Sequence, residues 1–351
     1  MWKEILLNYG IFLLELLTVF GIVAVVMMII LESRKQPETG TITITNLTEK
    51  YQEQEKTLSS LFLSEAEQKH LEKQEKKAQK EKAKLEKKRL KAGEELAEET
   101  KSRLFVLNFN GDVHASAVSS LRKEIDALIA LVNPEKDEVL LKLESPGGVV
   151  HGYGLAASQL QRLKTRNIPL TIAVDKVAAS GGYMMACVAD KIISAPFAVI
   201  GSVGVVAQVP NIHRLLKKNE IDVDVMTAGE YKRTVTFVGE NTEKGKQKFQ
   251  QELEETHQLF KQFVQENRPQ VEIEQVATGE HWFGTQAIKL NLVDEIATSD
   301  DIVLNAIKEK DVIEVKYRQK KKLAQRLGDQ VESRIENLVS NFLHKNRSPM
   351  L

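Results

Sequence analysis

Between residues 103 and 175 the sequence alternates between short apolar runs and longer amphipathic segments, and this alternation most constrains the fold. The apolar runs RLFVLNF, EVLLKL and PLTIAVD are rich in β-branched, aromatic and leucine residues, which is typical of buried strands. The segments between them, AVSSLRKEIDALIALV and YGLAASQLQRLKTR, carry apolar residues at helical spacing. Because such an alternation forms right-handed crossovers, we expect an α/β core with a largely parallel sheet.

Two glycine-rich turns follow the second and third predicted strands. ESPGG occupies residues 144–148, and VAASGG occupies residues 177–182. Ligand sites in parallel α/β sheets form at the carboxyl ends of the strands, where both turns are expected to lie. Gly147 and Gly148 carry no Cβ, so their backbone N–H groups can approach a ligand closely and stabilise an oxyanion.

Ser180 has a catalytic and a structural interpretation. Its hydroxyl is expected to point into the cleft between the two turns, where it would serve as a nucleophile. In the alternative, Ser180 caps the following helix and SPGG is an ordinary turn. The catalytic interpretation also needs a base that accepts the serine proton.

The sequence alone does not single out this base. The histidines lie in no motif that marks a general base, and the better candidates among them are His151, His213 and His281. The others are predicted outside the core (His70, His344) or in contexts typical of a surface (His114, His257). A lysine is a base only when its amine is neutral, which burial or nearby positive charge favours. Lys232 lies beside Arg233 in an otherwise largely uncharged turn.

A continuous apolar segment near the start of the chain predicts a membrane anchor within residues 1–35. Residues 11–31 contain only Glu15 and Thr18 as polar residues. A helix of this length rises about 30 Å, which is the thickness of the hydrocarbon core. The segment is too long for the apolar part of a signal peptide and lacks a small-residue cleavage site, so we expect it to remain uncleaved. The flanking charges slightly favour a cytoplasmic position for the part of the chain after the anchor.

Residues 36–101 are predicted to form a charged linker or stalk. A spacer rich in Pro and Thr precedes residues 68–92, which are dense in Lys, Glu, Gln and Ala and so favour a helix. Apolar residues recur there every seven positions, but the second core position of each heptad is charged (Glu75, Lys82, Arg89), which disfavours a coiled coil. We predict a solvated single helix or a disordered stalk, with contact to anionic lipid as a further alternative.

The last segment, residues 301–351, is predicted to contain a strand followed by an amphipathic helix. Apolar residues share one face of that helix: Leu323, Leu327, Val331, Ile335, Leu338 and Phe342. This face would pack on the core or on a neighbouring subunit, or would lie on a membrane surface.

The composition disfavours several classes of partner and site. Basic and acidic residues each number 49, so the formal net charge is zero. The chain therefore lacks the net positive charge that would indicate a nucleic-acid partner. Cys187 is the only cysteine, so neither an internal disulfide nor a thiolate metal cluster is expected, and its apolar context predicts a buried packing residue. The sequence contains no phosphate-binding loop motif, and no metal or other cofactor is expected.

Five motifs between residues 102 and 300 resemble, in order, those of the signal peptide peptidase A family of serine proteases. They are LESPGGVVHGYG, VDKVAASGGYMMACVAD, APFAVIGSVGVVAQVPN, TAGEYKR and TGEHWFGTQAIKLNLVDEI. The resemblance implies a ClpP/crotonase-like protease domain over residues 102–300 that works without a metal or cofactor.

The resemblance also implies roles for individual residues. Ser180 matches the nucleophile and Lys232 the general base of a Ser/Lys dyad. The backbone amides of Gly147, Gly148 and Gly181 match the oxyanion hole.

Further implications concern the lysine, the assembly and the substrate. Ser202, in IGSVG, matches a position whose hydroxyl holds the lysine amine. Single-repeat members resemble half of a tandem one, which implies a homo-oligomeric ring whose neighbouring subunits can share the dyad. The implied substrates are signal-peptide remnants or unfolded membrane-associated segments with apolar side chains. The implied location is the bacterial inner membrane with a periplasmic protease domain, which opposes the charge bias of the anchor.

Two other function classes fit parts of the sequence. A non-catalytic membrane scaffold would use the stalk and the core for assembly and would have no reactive Ser180. An acyl-CoA enzyme with a crotonase-like fold would share the oxyanion glycines but gives no reason for the pair of Ser180 and Lys232. The sequence therefore favours a membrane-anchored serine endopeptidase.

Overall fold

The structure is a computed structural model that describes residues 40–64 and 101–318, with scattered residues in 10–21 and 67–84. The chain divides into two compact units, one of residues Ile42–Tyr317 and one of residues Met1–Thr41 with Arg318–Leu351. The candidate site lies in the first unit.

The described strands and helices follow one another in a mostly alternating order. The strands are β1 (Thr41–Asn46), β2 (Arg103–Asn110), β3 (Glu138–Glu144), β4 (Leu170–Val174), β5 (Val177–Ala179), β6 (Lys191–Ser194), β7 (Val199–Gly201), β8 (His281–Phe283), β9 (Glu295–Ile296) and β10 (Asp311–Arg318). The helices are α1 (Leu47–Ser60), α2 (Val118–Leu131), α3 (Val150–Lys164), α4 (Gly181–Ala186), α5 (His213–Lys218), α6 (Glu243–Asn267), α7 (Ile273–Val276), α8 (Gly284–Ala287) and α9 (Ser299–Ala306), with a 3₁₀ turn at Ile288–Leu290.

A seven-stranded sheet, in the order β1-β10-β2-β3-β4-β6-β9, forms the centre of the described part of the chain. The pairings from β10 to β9 are all parallel. Helices α2 and α3 connect successive parallel strands, as the alternating pattern predicted. The predicted α/β class is therefore confirmed, and the arrangement is consistent with a ClpP/crotonase-like core.

The first and last described strands extend the sheet at one edge. The sequence TITITN of β1 lies within the predicted Pro/Thr-rich spacer, and Ile42 packs against the main core. Alternating β-branched residues suit such a half-covered edge strand. β10 is the predicted C-terminal strand, and it lies between β1 and β2.

Alternate side chains of β3 enter two separate hydrophobic layers. Leu141 and Leu143 belong to the main core, which includes buried residues of α2 and α3. Leu140 instead packs in a second cluster with Val303 of α9 and Val312 of β10. Because both faces of the sheet are covered, its central strands are apolar along most of their length.

Polar side chains mark where several helices begin. The side chains of Asn46, Thr242 and Thr298 accept hydrogen bonds from backbone N–H groups in the first turns of α1, α6 and α9. Such caps satisfy N–H groups that have no partner within the helix.

A second sheet, in the order β5-β7-β8, stands next to the central one. β5 and β7 pair in parallel, β7 and β8 are antiparallel, and a bridge between Ser145 and Ala178 links β5 to the end of β3. Ser180 and Ser202 directly follow β5 and β7, so this small sheet brings the two serines to the same edge.

Some predicted features lie wholly or partly outside the described residues. The predicted anchor over residues 11–31 is described at only a few helical positions, and the amphipathic helix after Arg318 is not described. Among described residues, no helix has both the length and the apolar character needed to cross a bilayer. The described residues between 67 and 84 are helical, and the predicted stalk otherwise lies largely outside the described residues. Cys187 is buried and free, as predicted.

Candidate active site

Ser180 occupies a strained turn between β5 and α4, with φ 52° and ψ −119°. A positive φ is unfavourable for a residue with a side chain, and such strain concentrates at functional sites. The Ser180 side chain makes no capping hydrogen bond to α4, so the structural interpretation as a helix cap is not realised. The Ser180 N–H donates to the carbonyl oxygen of Gly201 at 2.8 Å, which joins the turn to β7.

Gly147 and Gly148 fit tightly into the loop that faces this turn. Gly147 has a φ of +89°, and a Cβ there would stand 2.7 Å from the carbonyl oxygen of Ala179. A Cβ on Gly148 would collide with the backbone of Val113. Glycine is therefore required at Gly147 for the loop to approach the Ser180 turn, and at Gly148 for the loop to pack against Val113.

The backbone amides around Ser180 differ in whether they are free. The Gly147 N–H donates to Oγ of Ser145 at 3.1 Å, so it is engaged within the loop. The Gly148 N–H has no acceptor within hydrogen-bond distance in the described part of the chain. Gly181 is the first residue of α4, so its N–H has no acceptor one turn back in that helix. Of the three predicted oxyanion donors, the free amides are those of Gly148 and Gly181.

Ser180 lies on a cleft of about 1100 Å³. The cleft is lined by five of the six predicted site residues: Gly147, Gly148, Ser180, Gly181 and Ser202. Its walls are largely apolar and include Val113, Val150, Met184, Val206, Leu259, Phe260 and Phe263. Ser202 also has a positive φ of 53°, and its N–H donates to the carbonyl oxygen of Glu280 at 2.7 Å. The arrangement suits an extended apolar chain with a carbonyl group next to Ser180.

Lys232 is the predicted site residue that does not line this cleft. It is exposed in an irregular stretch between α5 and α6, where its N–H donates to the carbonyl oxygen of Gly229 at 3.2 Å. The fold of one chain thus assembles the predicted nucleophile and oxyanion glycines but does not bring the predicted base into the same cleft.

His257 also lines the cleft, where it is half-buried, although its sequence context gave no indication of a site. It lies on α6, and its Nε2 is 3.2 Å from the carbonyl oxygen of Val203. Because a carbonyl oxygen only accepts, Nε2 carries the proton in this contact. The buried Phe260 and Val264 follow His257 by three and seven residues, and this spacing on one helix face was the missed signal. The better sequence candidates, His151, His213 and His281, do not line the cleft.

Comparison with known proteins identifies the family. The chain matches the N-terminal domain of peptidase family S49 over residues 4–160 and the peptidase family S49 domain over residues 162–313. It is 59% identical to the probable protease SohB of Haemophilus influenzae over 98% of both chains. It is 54% identical to the probable protease SohB of Buchnera aphidicola subsp. Acyrthosiphon pisum, over 72% of this chain and 75% of the relative.

A more distant relative connects the chain to the family inferred from its motifs. The putative signal peptide peptidase SppA of Enterococcus faecium is 28% identical over 51% of this chain and 54% of its own length. The near full-length similarity to SohB and the two domain matches confirm the resemblance stated from the five motifs. The chain belongs to peptidase family S49.

Proposed function

We propose that the chain is a serine endopeptidase in which Ser180 is the nucleophile and Lys232 the general base. The observation that carries the proposal is the strained Ser180 turn beside the free amides of Gly148 and Gly181. The names of its relatives, probable proteases, support a peptidase. The apolar walls of the cleft support a peptide substrate with apolar side chains.

The proposed reaction uses these positions directly. Ser180 Oγ attacks the scissile carbonyl carbon while a neutral Lys232 amine accepts the serine proton. The Gly148 and Gly181 N–H groups donate to the oxyanion, and each such donor is worth on the order of 3 kcal/mol in comparable sites. The protonated lysine gives its proton to the leaving amine. Water then hydrolyses the acyl-enzyme and restores the free serine.

Lys232 would reach Ser180 from a neighbouring copy of the chain. Two observations support this arrangement: Lys232 is exposed and does not line the cleft of its own chain. The stretch around it also exposes apolar side chains, among them Met226, which is 89% exposed, and Phe237. A neighbouring subunit of a homo-oligomeric ring would cover these side chains, and desolvation at the contact would favour an uncharged amine. Ser202 would then hold that amine inside the cleft.

The proposed substrates are signal-peptide remnants or unfolded membrane-associated segments. The apolar cleft suits extended chains of this kind. The name of the Enterococcus faecium relative, a putative signal peptide peptidase, points to the same class.

We further propose that residues 11–31 anchor the chain in the bacterial inner membrane, with the protease domain in the periplasm. The proposal rests on the length and apolarity of that segment and on the family resemblance. A reporter enzyme fused after residue 318 and active only in the periplasm tests the side. Reporter activity supports a periplasmic domain, and its absence from a well-expressed fusion contradicts it.

The nucleophile is tested with a fluorophosphonate probe, which modifies reactive serines covalently, on the full chain in detergent. We expect the label on Ser180, mapped by mass spectrometry, and loss of both labelling and peptide cleavage in Ser180→Ala. Lys232→Ala should abolish cleavage while the protein stays folded. A non-catalytic scaffold predicts no labelling of Ser180 in the wild-type chain. Full cleavage of an apolar peptide by Ser180→Ala would refute the assignment.

A further inference from the structure

A buried chain of hydrogen bonds lies behind the glycine loop. The Gly147 N–H donates to Ser145 Oγ at 3.1 Å, and Ser145 Oγ is 2.6 Å from the Tyr153 hydroxyl. The Tyr153 hydroxyl donates to the carbonyl oxygen of Asp112 at 2.8 Å. Ser145 and Tyr153 are both fully buried. Neither residue was a site candidate from the sequence.

The two ends of this chain determine the direction of every proton in it. A backbone N–H only donates and a backbone carbonyl only accepts. The single Tyr153 proton goes to Asp112, so the Ser145 proton must go to the Tyr153 oxygen. Burial raises the pKa of the Tyr153 phenol, which keeps its proton in place. Hydrogen bonds aligned in one direction in a dry interior strengthen one another, so the chain holds its members in one orientation.

The same residues join the glycine loop to the nucleophile turn. The backbone N–H of Ser145 donates to the carbonyl oxygen of Val177 at 2.8 Å, and the Ala179 N–H donates to the carbonyl oxygen of Ser145 at 3.0 Å. Both the backbone N–H and the carbonyl oxygen of Ser145 are therefore hydrogen-bonded to β5, the strand that leads into Ser180.

Tyr153 contacts both segments that supply a free amide. Its hydroxyl reaches the glycine loop through Ser145. Its ring lies directly against Gly181, where a Cβ would collide with ring carbon atoms. One side chain thus sets the spacing between the loop that carries the Gly148 amide and the turn that carries the Gly181 amide.

We infer that Tyr153 and Ser145 are positioning residues of the oxyanion hole. They hold the Gly147 N–H inside the loop, so that the next amide, that of Gly148, is left for the oxyanion opposite Gly181. Both residues act through the backbone amides rather than on the reacting atoms. The inference rests on the proposed serine peptidase function and deepens it.

The experiment uses Tyr153→Phe, which keeps the ring against Gly181 and against Phe109, at 6.5 Å between ring centroids. We expect kcat on an apolar fluorogenic peptide to fall about tenfold with KM within about twofold, because oxyanion contacts strengthen in the transition state. Ser145→Ala should give a similar loss. The double variant, Tyr153→Phe with Ser145→Ala, should have a kcat no lower than that of the slower single variant. Both substitutions break the same chain of hydrogen bonds, so their effects should not add.

Tyr183→Phe is the matched control. Tyr183 is equally buried and its hydroxyl donates to the carbonyl oxygen of Leu292 at 3.0 Å, but it does not line the cleft. The Tyr183→Phe variant should lose about as much thermal stability as Tyr153→Phe, but its kcat should equal that of the wild type. Equal kcat values in Tyr153→Phe and Tyr183→Phe would overturn the inference, as would a change confined to KM.

The outcome for the proposed function is read separately. If the wild-type protein is labelled at Ser180 but Tyr153→Phe has the wild-type kcat, only the positioning role is overturned. Wild-type chain that is neither labelled nor active overturns the proposed function, and the positioning role with it. If Tyr153→Phe does not fold, Ser145→Ala, which removes one oxygen atom, decides the positioning role by the same comparison of kcat with KM.

Discussion

Gly147 and Ser180 are packed so closely that a Cβ on Gly147 would stand 2.8 Å from the Cβ of Ser180. The same atom would stand 2.8 Å from the nitrogen of Gly181. Such separations are far below van der Waals contact, so the glycine loop and the nucleophile turn approach each other as closely as the backbone allows. This contact limits how closely the glycine loop can approach the nucleophile turn.

Gly147→Ala is therefore expected to inactivate the site without unfolding the protein. The new methyl group must push apart the loop and the turn, and alanine is also strained at the observed φ of +89°. Fluorophosphonate labelling of Ser180 should slow by about 100-fold or more, as when an oxyanion donor is removed. Thermal unfolding of the same sample checks that the fold persists. Labelling at the wild-type rate would show that the close contact is not needed.

Mixing two inactive variants tests whether neighbouring copies share the dyad. The Ser180→Ala and Lys232→Ala chains are co-expressed with different affinity tags. A shared site is intact when a Lys232→Ala chain supplies Ser180 and its neighbour, a Ser180→Ala chain, supplies Lys232. In a ring assembled at random this holds for about a quarter of the sites. We expect peptide cleavage to return to about that fraction in complexes that carry both tags. Each variant purified alone should be inactive. Inactive mixed complexes would place the dyad within one chain.

His257 is expected to hold one wall of the cleft through its hydrogen bond to Val203. His257→Phe removes the donor, and a net hydrogen bond of about 1 kcal/mol corresponds to a loss of about fivefold in kcat/KM. His257→Gln can place an amide N–H near the position of Nε2 and should stay within about twofold of wild type. Equal losses in the two variants would mean that packing, and not the hydrogen bond, supports the wall.

Arg268 and Asp294 form an ion pair that should control stability at low pH. The Arg268 side chain is 2% exposed and donates to both Asp294 oxygens, at 2.7 and 2.8 Å. Burial acts to raise the pKa of Asp294, but hydrogen bonds from Arg268 and from the Ile192 N–H outweigh it and hold that pKa below its ordinary value. The pair therefore contributes stability above the unfolded pKa of about 3.9, and this contribution is lost as the pH falls through the lower folded value.

Arg268→Met is the corresponding variant. It leaves the Asp294 carboxylate partly buried without its partner, and breaking such a pair costs about 3–5 kcal/mol at neutral pH. The matched control is Arg162→Met, which breaks the half-exposed pair with Asp126 and should cost at most about 1 kcal/mol. Urea unfolding at pH 7 and at pH 3 gives the free energy of unfolding of each variant relative to the wild type. A deficit of Arg268→Met that does not shrink at the lower pH would contradict the role of the charged pair.

Much of the core and the nucleophile turn could be predicted from local signals. Strand and helix periodicity between residues 103 and 175 predicted β2, β3 and β4 with the helices between them, because burial on a sheet or on one helix face imposes those periods. The glycines around Ser180 predicted a close approach of backbone to a ligand, because only glycine leaves room for it. The five ordered motifs predicted the family.

The sequence by itself therefore determined the parallel α/β core, the family and the turn that presents Ser180. Only the tertiary structure decided which amides are free, since the Gly147 N–H is taken by Ser145 and that bond depends on how the loop closes. It also decided that His257 reaches Val203, a contact between residues far apart in sequence. The same holds for Lys232, which lies outside the cleft of its own chain. Periodicity and turn chemistry act between neighbours along the chain, whereas these contacts depend on packing between segments that meet only after folding.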